Sequence, residues 1–331
     1  MDENVARYLA KLQVGIAVDV GGISIVPLLS TTPVGVDYIG FKTALEKGTF
    51  AVEELNEDGV VGRLRVVNSG PGHVLLLDGE ELSGAKQNRV LNTTILAAAN
   101  SHLTIPVSCT EQGRWSYMSS RFADSFSVAP PRIRRSNQST MADSLRHTGV
   151  WGSNQPEVWS RVREISDEAG VHSSTAAMRD VFEARLPILD EIVGRSTVTT
   201  NQVGLVAMVN GIVLGMDVIS RPEVYRTLHQ KLARSYVLDA YLKRRTDSAC
   251  QDASHLAAGF IGTAMETLES RHESVGLGHD HRYTGKDIVG SALTHENHLI
   301  HCAFFSVPPG ERSARVSDGI HGHAHRRSFR M

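Results

Sequence analysis

Two eight-residue β-rich runs, Gln202–Val209 and Ile212–Ile219, are joined by Asn210-Gly211. An Asn-Gly pair between such runs closes a two-residue hairpin, because both central residues must take positive φ. No other feature of the chain is so strong a short-range signal, since it joins the two runs as an antiparallel pair. Val289–His295 and His298–Phe305 form a second expected hairpin across Glu296-Asn297. Val14–Val20 and Ile23–Leu29 flank Gly21-Gly22, and Pro27 makes the second of these an edge strand or a bulged one.

Residues 14–115 read as many short strands with turns between them, the pattern of an antiparallel sandwich or barrel-like module. Within it, Arg89–Ala97 and His102–Cys109 are expected to pair as a hairpin around Ala98–Ser101. Residues 116–156 are rich in Ser, Arg, Asn, Gln and Pro and read as a linker or lid. From Pro156 the apolar period becomes helical through Val158, Val162, Ile165 and Ala169. A second helix is expected from Ser174 to Ile192, kinked or split at Pro187. Ser220-Arg221-Pro222-Glu223 has the form of a capping box opening another helix, and one more is expected from Ser254 to Leu268. The expected class is therefore α+β. It comprises a β-rich module over 1–115, an Arg-rich linker or lid over 116–156, a mixed helix and hairpin module over 157–306, and a disordered His/Arg-rich tail over 307–331.

A net charge of -2 gives no global case for nucleic-acid binding. Three distant cysteines with no CxxC pair suggest neither disulfides nor a zinc ribbon. The acidic N-terminus is no secretory signal, and the most apolar stretch, Leu205–Ile219, is interrupted by Asn210, Gly211 and Asp217. A cytoplasmic protein with no membrane span is expected. Gly276-Leu277-Gly278 lacks the frame of a P-loop or a Rossmann turn, so no cofactor is expected. His279-Asp280-His281 has no third ligand placed by spacing, so no metal site is expected.

The stretch from His73 to Trp115 holds the densest polar cluster between apolar strands. Asp78-Gly79 makes a turn, and Glu80, Glu81, Lys86, Gln87, Asn88 and Arg89 follow. Adjacent on a strand, Glu80 and Glu81 face opposite sides, so only one can serve a given site as general base. Gln87 and Asn88 suit a sugar or base edge, or the capping of a turn. Arg89 and Arg114 form a fork for phosphate or carboxylate, or pair internally with Glu81 or Glu111. Gln112 lies on the same segment, and Trp115 offers a stacking face. Strand parity sets Cys109 with Leu103, Ile105 and Val107 on an apolar face, which argues against an exposed nucleophile.

The run Asp78-Gly79-Glu80-Glu81-Leu82-Ser83-Gly84-Ala85-Lys86-Gln87-Asn88-Arg89-Val90-Leu91-Asn92, followed by Ile105-Pro106-Val107-Ser108-Cys109, resembles the ARG and rhodanese-phosphatase-superfamily-associated protein domain family. The resemblance continues in Gln112-Gly113-Arg114-Trp115, Lys231–Tyr236 and Val275–Gly278. The family name records neighbouring genes in bacterial conflict or nucleotide-processing systems and implies a nucleotide-sugar or ADP-ribose context. Two functions stay open. One is binding or processing of an anionic nucleotide-like small molecule by Glu80, Glu81, Lys86, Gln87, Asn88, Arg89, Gln112, Arg114 and Trp115. The other is a non-enzymatic interaction or scaffold protein whose polar cluster is an internal hydrogen-bond network. In either case residues 86–89 and 110–115 are expected at one end of a sheet.

Overall fold

A computed structural model describes residues 1–309. In chain order the elements begin with α1 Glu3–Leu9, β1 Gln13–Val14, β2 Val18–Val20, β3 Ile23–Leu29, β4 Tyr38–Gly40, α2 Phe41–Glu46, β5 Phe50–Glu54 and β6 Arg63–Asn68. Next come β7 His73–Leu76, β8 Glu80–Gly84, β9 Arg89–Leu91, β10 Ile95–Ala97, β11 Ser101–Cys109 and β12 Phe122–Val128. Helices α3 Pro131–Thr148, α4 Gln155–Ala169 and α5 Met178–Gly194 precede the hairpin β13 Gln202–Val209 and β14 Ile212–Ile219. Then follow α6 Pro222–Lys243, α7 Ala253–Met265, β15 Leu268–Glu273, β16 His279–Thr284, β17 Ile288–His295 and β18 His298–Ser306.

The Asn-Gly hairpin forms as expected. Asn210 and Gly211 both have positive φ, 48° and 75°, and Val209 pairs with Ile212. It occupies the middle of a nine-stranded sheet of order β1-β3-β13-β14-β18-β17-β16-β15, with β2 added on β3. Every residue of β13 is buried because both faces are covered. Leu205, Ala207 and Val209 join the core under α4, α5 and α6, whereas Val206 and Met208 join the core under α1 and α7. The remaining strands form a three-stranded sheet, β10-β7-β4, and a six-stranded sheet, β12-β8-β9-β11-β6-β5. These two share a third core that includes Phe41, Phe50, Val66, Leu76, Ile95 and Ile105. The chain is thus α+β with a β-rich N-terminal part.

The boundaries differ from the expected ones in instructive ways. Strands β1 to β3 belong to the nine-stranded sheet through β3–β13 pairing, so the sandwich does not begin at the N-terminus. Pro27 lies within β3 opposite Leu205, between the residues where β2 and β1 pair. Residues 116–156 are not a linker, because they hold β12 and the eighteen-residue α3. Pro131 starts α3, where a missing N–H costs nothing, and Gly149 in the left-handed conformation ends it. Its Arg132, Arg134, Asn137 and Gln138 are buried, so the polar composition belongs to an interior face.

The hairpin expected over 89–109 forms at one end only. Arg89–Leu91 pairs with Val107–Cys109, but Ile95–Ala97 leaves for β7 and the first half of β11 pairs with β6. The break falls at Asn92-Thr93-Thr94, whose side chains take interior polar partners. Helix α5 starts at Met178 and continues through Pro187. The capping box is not made: Arg221 is the N-cap residue without a side-chain bond, and the Ser220 hydroxyl meets Tyr38 Oη at 2.9 Å. Strands β15 and β16 are additions, since their charged sequences carry no apolar alternation. Of the expected tail, Val307 packs into the first core, and residues beyond Pro309 lie outside the described ones.

Candidate functional site

Gly79, at φ 77°, lets the chain reverse into β8, and a Cβ there would meet Arg134 Cδ at 2.6 Å. The Asp78-Gly79 turn is therefore also the place where an arginine crosses the backbone. Beyond it Glu80 and Glu81 point to opposite sides, as parity requires, and both are fully buried. Glu80 accepts from Lys231 of α6 and from the Leu77 N–H, the latter at 2.9 Å. Lys231 also meets Asp124 of β12, at 3.1 Å. Burial works against the Lys231 ammonium, but the two carboxylates outweigh it and hold its pKa above the usual value. Two acids share one cation, so burial, with Asp124 adding to it, pushes the Glu80 carboxyl up. Glu81 accepts from the Thr110 and Ser127 hydroxyls at 2.8 and 2.7 Å. Burial pushes its carboxyl up more than these bonds lower it.

The next corner is strained. Gly84 has φ 118° and Ala85 has φ 40°, a conformation a non-glycine residue holds only when its surroundings impose it. They do: the Ala85 carbonyl accepts from Arg114 Nη1 at 2.8 Å, and its N–H donates to Ser119 Oγ at 3.0 Å. Arg114 also donates to Glu111 at 2.6 Å and to Asn88 Oδ1 at 3.2 Å. The internal pairing of Arg114 with Glu111 is thus the one the sequence offered. Against burial, the Arg114 bond holds the Glu111 carboxyl below its usual value. The Thr110 N–H donates to the Asn88 carbonyl at 3.1 Å, so residues 86–89 and 110–115 meet at one end of the six-stranded sheet.

Arg89 is buried. It donates to Gln87 Oε1 at 2.7 Å and to Cys109 Sγ, and its Nη2 lies 3.9 Å from Glu54 Oε1. It pairs with neither Glu81 nor Glu111. Among the described residues Arg89 Nε, Arg89 Nη2 and both Glu54 oxygens have no hydrogen-bond partner. Cys109 is buried as expected, but its sulfur faces a guanidinium, so the face is not purely apolar; burial still pushes its thiol up. Lys86 is half-buried, its ammonium 5.5 Å from the Trp115 ring centre and 4.9 Å from that of Tyr117. Trp115 is 46% exposed and also lies over Arg89. Gln112 turns away and accepts from Arg163 on the surface, so it does not join the group.

The larger polar assembly was missed in the sequence. Asp217 on β14 accepts both terminal nitrogens of Arg134 at 2.7 Å, the Tyr236 hydroxyl at 2.6 Å and His301 Nε2 at 2.9 Å. Burial raises the Asp217 carboxyl, but Arg134 and His301 outweigh it and bring its pKa to about 2. Arg134 and Gln138 reach Asp78 at 3.3 and 3.1 Å. His301 Nδ1 meets Thr94 Oγ1 at 2.8 Å, and Thr94 Oγ1 accepts the Asp78 N–H. Thr93 links to Asp280 and Arg282 of β16. One bonded chain therefore runs from the sandwich through α3 to the nine-stranded sheet. Its sequence signals were a lone Asp217 in an apolar run and the Arg-rich stretch before Arg146.

A second joint uses backbone alone. Leu277 N–H donates to the Leu96 carbonyl at 2.8 Å, and a Cβ at Gly276 would stand 2.3 Å from that oxygen. The glycines of Val275–Gly278 thus let the β15–β16 turn touch β10. A cavity of about 860 Å³ lies elsewhere, beside Leu214, Leu242, Lys243 and Val307.

These features define an α+β protein in which a β-sandwich is fastened to a helix-covered sheet by buried ion pairs. The chain belongs to the family of the ARG and Rhodanese-Phosphatase-superfamily-associated Protein domain, whose sequence pattern it matches over residues 11–305. No curated protein and no solved structure matches it.

Proposed function

We propose that the protein is a non-enzymatic interaction protein in which the Glu80–Arg89 motif is an internal brace. The observation that carries this reading is that the acid/base candidates are committed to partners inside the fold. Glu80 is bonded to Lys231, Glu81 to two hydroxyls, and Arg114 to Glu111 and Asn88. A group sealed in this way offers no proton or charge to a substrate. The surface above the brace carries Trp115, Tyr117 and Met118, all exposed, with Lys86 among the rings. Tryptophan, tyrosine and methionine are the residues protein interfaces favour.

One observation favours a second reading, in which a small polar molecule binds between Arg89 and Glu54 beneath Trp115. Four of their atoms are buried without a hydrogen-bond partner among the described residues, two of them meeting only as a 3.9 Å ion pair, and such atoms call for a ligand or a water. The nucleotide-like or ADP-ribose-like class implied by the family name attaches to this reading, with Arg89 and Lys86 facing its anionic or carbonyl groups.

A thermal-shift screen of nucleotides, ADP-ribose, NAD and sugar phosphates separates the two. A ligand at a hundredfold excess over its Kd adds about 2.7 kcal/mol, or roughly 4 °C for a chain of this size. The brace reading expects no compound whose shift depends on Lys86. A shift that Lys86→Ala removes, with the fold and melting point of the free protein unchanged, would establish the second reading.

A further inference from the structure

We propose that His281, Glu269 and Asp2 form a divalent-metal site at the edge of the nine-stranded sheet. One ligand-type atom from each lies within 4.8 Å of the other two. Ligands about 2.0–2.2 Å from one ion stand roughly 3–4 Å apart, so the widest separation closes slightly and the short His281–Glu269 contact opens slightly when an ion enters. His281 is fully buried on β16, and its Nδ1 lies 2.7 Å from Glu269 Oε1 of the edge strand β15. Its Nε2 lies 2.8 Å from Thr294 Oγ1, and its ring stacks on Tyr283 at an interplanar angle of 5°. Metal-bound imidazoles are held by a fixed oxygen on the far nitrogen, as Thr294 holds Nε2, and an ion would take the place of the proton that Nδ1 shares with Glu269.

The charges point to a cation. Two carboxylates and an imidazole converge, and the Met1 ammonium stands 3.6 Å from Glu269 Oε2. Arg271 lies opposite His281 in register but is exposed and lines the neighbouring cavity. Asp2 caps α1 through Oδ1, which accepts from Asn4 and Val5, so a metal here clips the first helix to the edge strand. One nitrogen and two carboxylate oxygens suit Zn²⁺, Mn²⁺ or Fe²⁺ better than Cu⁺. Three protein ligands leave positions for water, which the adjoining cavity of about 240 Å³, lined by Asp2 and Thr294, admits.

The test is equilibrium dialysis of the full chain against Zn²⁺, and separately Mn²⁺, in a two-by-two set of proteins. His321→Ala, His323→Ala and His325→Ala together remove the tail imidazoles, which bind metals on their own account. Glu269→Gln removes a ligand while keeping an acceptor for His281. The tail variant is expected to retain one equivalent, and to melt higher with metal than without. Adding Glu269→Gln should abolish both the equivalent and the metal-dependent shift. If Glu269→Gln lowers the metal-free melting point, Asp2→Asn serves instead, since asparagine caps a helix equally well. A tail variant that binds no metal overturns the proposal. So does a bound equivalent that survives both Glu269→Gln and Asp2→Asn.

Discussion

Lys231→Met is the sharpest perturbation of the brace. Lys231 is the cation bonded to both Glu80 and Asp124, and all three side chains are at most 5% exposed. Methionine fills much the same volume but leaves two carboxylates in the interior without a counter-ion. Breaking a buried pair from one side costs about 3–5 kcal/mol, which lowers the melting point of a chain of this length by roughly 4–7 °C. The pH dependence identifies the cause. Without the ammonium the folded-state pKa of Glu80, already raised by burial, rises further. A raised acid destabilises the fold above its unfolded pKa, and that penalty is relieved as pH falls. The deficit relative to wild type should therefore be largest near pH 8 and shrink toward pH 5. Adding Glu80→Gln and Asp124→Asn should restore most of the loss at pH 8. The assay is thermal melting followed by circular dichroism across that range. A Lys231→Met protein that melts with wild type, or one whose deficit does not change with pH, would refute the reasoning.

Gly276→Ala should cost about 1–3 kcal/mol, because the new methyl displaces the Leu96 carbonyl from the Leu277 N–H; a melt within 1 °C of wild type would contradict this. Thiol titration of the native protein should show Cys109 and Cys302 unreactive until denaturant is added, with half-buried Cys250 reacting first; rapid labelling of Cys109 would overturn its assignment as a buried side chain. Asp217, held at about pKa 2 by Arg134 and His301 against burial, stabilises the fold above its unfolded pKa near 4. Chemical unfolding should show that contribution, about 2 kcal/mol, disappearing as pH falls from 4 to 2, and Asp217→Asn should lack the decline.

The sequence was most legible where one residue type has one backbone use. Asn210-Gly211 gave the hairpin and the register of its first two pairs, up to the bulge at Leu214, and Asp78-Gly79 gave the turn before β8, because positive φ leaves few alternatives. Strand parity separated Glu80 from Glu81 and placed Cys109 inside. Residues 86–89 and 110–115 were brought together correctly, although the hairpin invoked for it forms only at that end. The interior partners were not legible. Arg134 and Lys231 look like solvated cations in the sequence, and only the docking of α3 and α6 against Asp78, Asp217 and Glu80 shows them buried. Strands β15 and β16 escaped for the same reason. An edge strand and its neighbour that carry His, Asp, Arg and Glu have no apolar period to read.

Melting of Arg114→Ala, with and without the nucleotide panel, tests the central claim most directly. Arg114 is at most 9% exposed and ties Glu111, Asn88 and the strained Ala85 carbonyl together. If the motif is a brace, the variant loses about 2–4 kcal/mol and melts roughly 3–6 °C lower, and no nucleotide shift of the wild type depends on it. A variant that melts with wild type yet no longer responds to a nucleotide that stabilises wild type would show a binding site instead.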